Sequence, residues 1–256
     1  MMASTNRRSL LLGTLSCAAF AGSARAQRKA DVQYVPTPPA VVAGMLDLAA
    51  LKAGDRLIDL GSGDGRIPIA AARRGAVALG VEIDGDLVAR ARALARLEGL
   101  EGNPRFVRDD LFTVSLREAD VVTLYLLPEL NERLKPKLLA EMKPGARVVS
   151  HAFDMGDWPP AVHREVADRQ VYLWIIPAIA GGDWVLIRDD GSRGRLTVEQ
   201  RYSRVTGMLD GVALTSARLD GASLEFTAGG VAYRGIVGDR TIVAEAGRGW
   251  RAERVE

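Results

Sequence analysis

At 256 residues and 48% hydrophobic composition, the chain is long enough to bury one full α/β core and to carry a smaller appendage. Its formal charge of only +2 gives no electrostatic design for nucleic acid, and its single cysteine rules out an internal disulfide framework.

Residues 1–26 open polar and basic at Arg7 and Arg8, run through SLLLGTLSCAAFAGSA and end in ARA before Gln27. This is the order of an export signal, and its apolar run is too short and alanine-rich for a membrane span. The arginine pair in NRRSLLLG sits where a twin-arginine leader carries it, without the usual aromatic after the pair, so a general secretion signal is the alternative. Removing the leader takes away three arginines, no acids and the only cysteine, so the formal +2 becomes −1. The remaining chain then holds no thiolate metal site, and His151 and His163 are too few for a histidine-rich one. The periplasm is the expected location, the cytoplasm the alternative, and no stable membrane span is expected in the mature chain.

After the leader, Pro39 is placed to start a helix over AVVAGMLDLAAL, with Val42, Met45, Leu46 and Ala49 on one apolar face. DRLIDLG predicts a buried strand stopped by glycine, RIPIAAARRG a helix, AVALGVEID a second strand and GDLVARARALARLEG a long amphipathic helix. RFVRDD and ADVVTLYLL follow as strands, PELNERLKPKLLAEMK as a helix and ARVVSHAF as a fifth strand. This alternation predicts a parallel sheet covered by helices on both faces. VYLWIIP and DWVLIRD are two strand-like runs joined by AIAGG, too close for a crossover helix, and are expected to pair antiparallel. Beyond Arg195 come short alternating runs, RLTVEQRY, VALTSARL, ASLEFTA, VAYRGIVG and RTIVAEA, which predict an antiparallel β module over 195–256 after a main domain over 34–190.

The turn DLGSGDGR follows the first strand. Gly61, Ser62 and Gly63 present a nearly bare backbone to a ligand, and Gly65 lets the next helix begin close to the sheet. The order G-x-G-x-G departs from a dinucleotide fingerprint, and Asp59 just before it is a poor neighbour for pyrophosphate but a good one for an ammonium group. Glu82, ending the second strand 21 residues after Gly61, is placed to accept both hydroxyls of a ribose, while Asp84 is placed to cap the following helix. Asp109 and Asp110 end the third strand; Asp110 is the preferred acceptor for an adenine amino group, with Leu111 or Phe112 beside the ring. Together these strand ends specify a nucleoside joined to an amino acid.

These residues resemble the class I S-adenosylmethionine-dependent methyltransferases. DLGSGDGR is similar to their first motif, GVEID to the acidic end of their second strand and RDDLF to their adenine loop. The resemblance covers about residues 34–190 and implies a seven-stranded Rossmann-like sheet with helices on both faces, completed by a reversed hairpin assigned to VYLWIIP and DWVLIRD. YVPTP, GVEID and TLYLLPELNERLKPKLL are most similar to a protein-lysine methyltransferase branch, closer to mitochondrial lysine methyltransferases with bacterial relatives than to the non-SET histone-lysine enzymes. That pattern implies that Tyr34 and Thr37 border the cofactor cleft and that Tyr125 faces the methyl group.

S-adenosylmethionine carries its own activation, so neither a metal nor a covalent nucleophile is required of the protein. Tyr125 is the candidate for shaping an acceptor channel or orienting an amine. His151 is a candidate base, with Asp154 near enough in sequence to orient it. Glu129 and Asn131 fit a simple helix-end role, and Asp154, Asp157 and Trp158 a structural rim. The leading reading is methyl transfer to an amine such as a protein lysine. The alternatives are a small-molecule O- or N-methyltransferase and a non-catalytic S-adenosylmethionine-binding protein. The acceptor is thus a protein or a small molecule, no nucleic acid partner is expected, and the oligomeric state is left open.

Overall fold

The computed structural model describes residues 1, 34–245, 247 and 249–255; the expected leader, beyond Met1, lies outside the described residues. Pro39 opens α1 (Pro39–Leu48), which buries Val41, Val42, Met45 and Leu46. There follow β1 (Arg56–Leu60), α2 (Arg66–Arg73), β2 (Val77–Glu82), α3 (Gly85–Leu97), β3 (Arg105–Arg108), β4 (Val121–Leu124), α4 (Pro128–Glu141), β5 (Arg147–His151), β6 (Val162–Val166) and β7 (Arg169–Ile175). They form one seven-stranded sheet in the order β3-β2-β1-β4-β5-β7-β6, parallel from β3 to β5 and antiparallel at β7 and β6.

Alternate strand residues serve opposite faces, as a period of two requires. Leu57, Val121 and Val149 pack with Met45, Leu46 and Ile67 of α1 and α2. Ile58, Val122 and Val148 pack with Leu130, Leu134 and Leu138 of α4. Because the chain runs outward from β1 to β3 and returns at β4, the strand order reverses between β1 and β4. A crevice opens there at the carboxyl ends of the strands.

The reversed hairpin is β6–β7, so VYLWI was placed in the correct sheet but with the wrong partner. The pairing strand is VHREV, whose three central residues are exposed; a polar edge strand lacks the apolar alternation that marks a half-buried one. Its turn, Ala167 and Asp168, takes positive φ at both residues, 48° and 59°, without the glycine that usually signals such a hairpin.

DWVLIRD instead forms β8 (Gly182–Arg188), which belongs to a second, nine-stranded antiparallel sheet. The remaining strands are β9 (Arg193–Arg201), β10 (Arg204–Leu209), β11 (Val212–Ala213), β12 (Thr215–Asp220), β13 (Ser223–Ala228), β14 (Val231–Val237), β15 (Thr241–Ala244) and β16 (Trp250–Arg254). Their order is β11-β10-β9-β8-β16-β15-β14-β13-β12, and the sheet curls until β10 approaches β12. Trp184, Leu186, Leu196, Leu224, Phe226 and Ile242 fill its interior. The sheets therefore change over between Ile175 and Gly182, earlier than the expected boundary near residue 190, because Trp184 and Leu186 are needed in the second core.

Candidate active site

Five parallel strands end on one edge, and the loops beyond β1, β2, β3 and β4, together with residues 34–37, enclose a cleft of about 1010 Å³. Its first wall is the glycine turn after β1. Gly63 holds φ at 54°, and a Cβ there would fall 2.4 Å from the Tyr34 ring, so the bare backbone lets residues 34–37 lie directly on the turn. Gly65 has φ 82° and no room for a side chain either, since a Cβ would meet Phe106 at 2.6 Å and Ala91 at 2.8 Å. Gly65 is absent from the cleft lining, and it packs α2 against the sheet, as expected of the third glycine of the turn.

Asp59 lines the cleft yet is almost wholly enclosed, with Oδ1 accepting from the Thr123 hydroxyl at 2.7 Å. Burial pushes its carboxyl up to about 7, against the Thr123 bond and with help from nearby Glu82 and Asp64. The Ser62 hydroxyl, also in the lining, is buried with no hydrogen-bond partner. Glu82 is held by two backbone donors, Gly63 N to Oε2 and Asp84 N to Oε1, each at 2.9 Å. Each carboxylate oxygen keeps a further lone pair for a ligand donor. Asp84 caps α3 as expected, accepting from Asp86 N.

Asp109, Asp110, Leu111 and Phe112 form the opposite wall. Asp109 accepts from Asp110 N and the Thr113 hydroxyl, and Asp110 accepts from Phe112 N at 2.9 Å. The Arg133 guanidinium of α4 lies 4.4 Å over the Phe112 ring.

Tyr34, Val35, Pro36 and Thr37 cover the cleft from the amino-terminal side. Arg66 ties this strap down: it grips buried Asp64 through Nε and Nη2 at 2.9 and 2.6 Å, donates to the Thr37 carbonyl at 2.7 Å and reaches the Tyr34 hydroxyl at 3.5 Å. Burial raises the Asp64 carboxyl, but the Arg66 guanidinium outweighs it and holds the group below the usual carboxylate range. Neither Asp64 nor Arg66 stood out in the sequence. Their only signal was the GDGR tetrapeptide, which sets an acid and a guanidinium two residues apart at a helix start.

Tyr125, just past β4, lines the cleft. Its ring lies 3.9 Å from that of His151 and 6.5 Å from that of Phe153, nearly parallel to the latter. His151 is 1% exposed and absent from the lining. Its Nδ1 is 3.2 Å from the Thr37 hydroxyl, and burial, aided by Arg169, lowers its pKa to about 4. Asp154, expected to orient it, instead accepts from Gly156 N. His151 thus supports Tyr125 and the strap from inside the fold. Asn131, likewise more than a helix end, is fully buried and donates to the carbonyls of Phe153 and Asp154 at 3.3 and 3.1 Å.

An enclosed acid beside bare backbone, an unpartnered hydroxyl and a carboxylate with spare lone pairs fit a ligand carrying an ammonium group and a ribose. A family model described as the ANTKMT methyltransferase domain matches residues 59–162. A protein-lysine N-methyltransferase of Saccharolobus islandicus (strain REY15A) is 45% identical over 151 residues, which are 57% of this chain and 94% of that protein. This chain belongs to the class I S-adenosylmethionine-dependent methyltransferases, in the protein-lysine N-methyltransferase branch.

Adenine nucleotide translocase lysine N-methyltransferase of Mus musculus is 39% identical over 58% of this chain, which spans 65% of that enzyme's length. A solved structure described as an RNA methyltransferase from Salinibacter ruber, in complex with S-adenosyl-L-homocysteine, is 51% identical with a TM-score of 0.55, covering 56% of this chain and 94% of that one. The enzyme accordingly uses S-adenosylmethionine, whose sulfonium supplies an activated methyl group, and the chain's own residues have to bind, align and exclude water. Among the described residues no helix is long and apolar enough to cross a membrane.

Proposed function

We propose that this methyltransferase acts on the side-chain amine of a protein lysine. The observation that carries this reading is the charge of the cleft, whose lining has seven acidic side chains to two guanidiniums and includes the aromatic ring of Tyr125. A cationic lysine is drawn to such a cleft, whereas the polyanionic backbone of RNA is repelled. The names of the relatives support the same acceptor.

In this reading Asp59 faces the ammonium group of the cofactor, and Gly61 to Gly63 and Ser62 lie against its amino-acid part. Glu82 accepts from the ribose, Asp110 with Leu111 meets the adenine, and Tyr34 and Thr37 close over the site. Tyr125 orients the incoming amine, which must arrive neutral. Deprotonating a lysine of pKa 10.4 at neutral pH costs about 4 to 5 kcal/mol, and an apolar wall beside a cationic cofactor offsets part of that by disfavouring the ammonium form. His151 and Thr37 hold the wall rather than moving a proton. The leader supports action in the periplasm, on sequence grounds alone.

Incubating the purified enzyme with methyl-labelled cofactor and host lysate tests the acceptor. Label that is lost to protease, survives ribonuclease and is recovered as methyl-lysine after acid hydrolysis is the expected result. Label in RNA or in a small metabolite overturns it.

A further inference from the structure

The turn between β9 and β10 is built from Tyr202 and Ser203, with Arg201 and Arg204 paired across it. Tyr202 holds φ at 56°, a conformation that glycine or asparagine adopts with far less strain than a bulky aromatic. The turn is nonetheless fixed firmly. Gln200 donates to the carbonyls of Tyr202 and Ala178 and accepts from Ala180 N and Gly181 N, pinning it to the segment that joins the two sheets. A tyrosine kept at a strained position implies that its side chain is what the turn requires.

That side chain leaves its own sheet and packs against the core of the methyltransferase domain, its ring stacked 5.6 Å from buried Trp158. Its hydroxyl donates to Asp157 Oδ1 at 2.9 Å, and Arg201 pairs with Asp157 Oδ2 at 3.0 Å. Lys135 of α4 completes the node by pairing with the same carboxylate and donating to the Met155 carbonyl. Residues 152–158 are therefore clamped from inside by Asn131 and Lys135 and from outside by the β9–β10 turn. Phe153, at the start of this loop, stands beside Tyr125. None of Asp157, Trp158, Arg201 or Tyr202 lines the cleft.

We propose that the β9–β10 turn of the second sheet is an acceptor-positioning element, with Tyr202 and Arg201 bracing the 152–158 loop and thereby Phe153, which lies outside the cleft lining and backs the Tyr125 wall that the acceptor meets. The proposal rests on Tyr125 marking the acceptor end. It assigns the second sheet a part in acceptor recognition and none in cofactor binding.

The full-length chain and its Tyr202→Asn and Asp157→Asn variants test it by three measurements. Amide hydrogen exchange reads the loop, calorimetry with S-adenosylhomocysteine reads the cofactor site, and methyl transfer to poly-L-lysine reads the acceptor. Asparagine suits the positive φ, so Tyr202→Asn keeps the turn while deleting the brace, and Asp157→Asn weakens the same node from the other domain. Exchange over 152–158 is expected to rise at least tenfold in both, with cofactor Kd within twofold, acceptor KM raised at least fivefold and kcat within twofold. Unchanged exchange over 152–158 in both variants, or a cofactor Kd that rises in step with acceptor KM, overturns the proposal. A wild-type enzyme that leaves poly-L-lysine unmethylated counts against the lysine reading alone, and the exchange measurement then decides the brace.

Discussion

Asp59 is enclosed beside the glycine turn, where burial holds its proton up to about pH 7. An unfolded aspartate ionises near 3.9, so between about pH 4 and 7 the folded state keeps a proton that the unfolded state has released. Through this group, stability falls as pH rises across that window, by up to about 1.4 kcal/mol per pH unit, and levels off above it. His151 has the opposite sign: folded at about 4 and unfolded near 6.5, it adds stability as pH rises between those values. If the ammonium group of S-adenosylhomocysteine sits beside Asp59 it favours the ionised carboxylate, and its affinity is then expected to rise several-fold from pH 6 to pH 8, with proton release visible by calorimetry in buffers of different ionisation enthalpy. Asp59→Asn should flatten that profile; a wild-type affinity independent of pH would contradict the assignment. Glu82→Ala should weaken the same ligand by about 1.5 to 3 kcal/mol if charge-assisted bonds to ribose are lost. Glu82→Gln, which keeps an oxygen acceptor beside the turn, separates that loss from disturbance of Gly63. The place of both acids in the cleft lining was legible in the sequence, because a strand end fixes where its side chain goes. Arg66 was not, because its partners Thr37 and Tyr34 are about thirty residues away and are brought to it only by the fold.

The strap and the glycine turn act as one element, with Arg66 as the clasp. Arg66→Met keeps the apolar stem but frees residues 34–37, and should raise the dissociation rate of S-adenosylhomocysteine about tenfold in stopped-flow measurements. An unchanged rate would mean that the strap holds itself by Tyr34 packing alone. Gly65→Ala should cost about 1 to 3 kcal/mol in denaturant unfolding, since a methyl group there is forced against Phe106 and Ala91 at a positive φ. The parallel strands and the four helices of the described residues were legible from apolar runs and caps. The hairpin β6–β7 was not: β6 is a polar edge strand, and an Ala–Asp turn carries none of the usual punctuation. β8 was read as a strand yet given to the wrong sheet, because alternation reports one buried face without saying which core it faces.

At the scale of the molecule, every wall of the cleft comes from the first sheet, its helices and its loops, while the second sheet meets that domain away from the cleft, at the loop beyond β5, at Lys135 and at Gly145. If residues 1–26 are an export leader, as the sequence leads one to expect, immunoblots of cell fractions should find a shortened chain in the periplasm, and a full-length cytoplasmic product would defeat export. Whether cofactor and acceptor are served by separate ends of one cleft is tested most directly on Tyr125→Phe, by measuring cofactor Kd and the single-turnover rate of methyl transfer on the same folded preparation. If the tyrosine hydroxyl orients the acceptor in the transition state, Kd stays within about twofold while the rate falls at least tenfold. An undiminished rate, or a loss explained entirely by weaker cofactor binding, would contradict that division of the site.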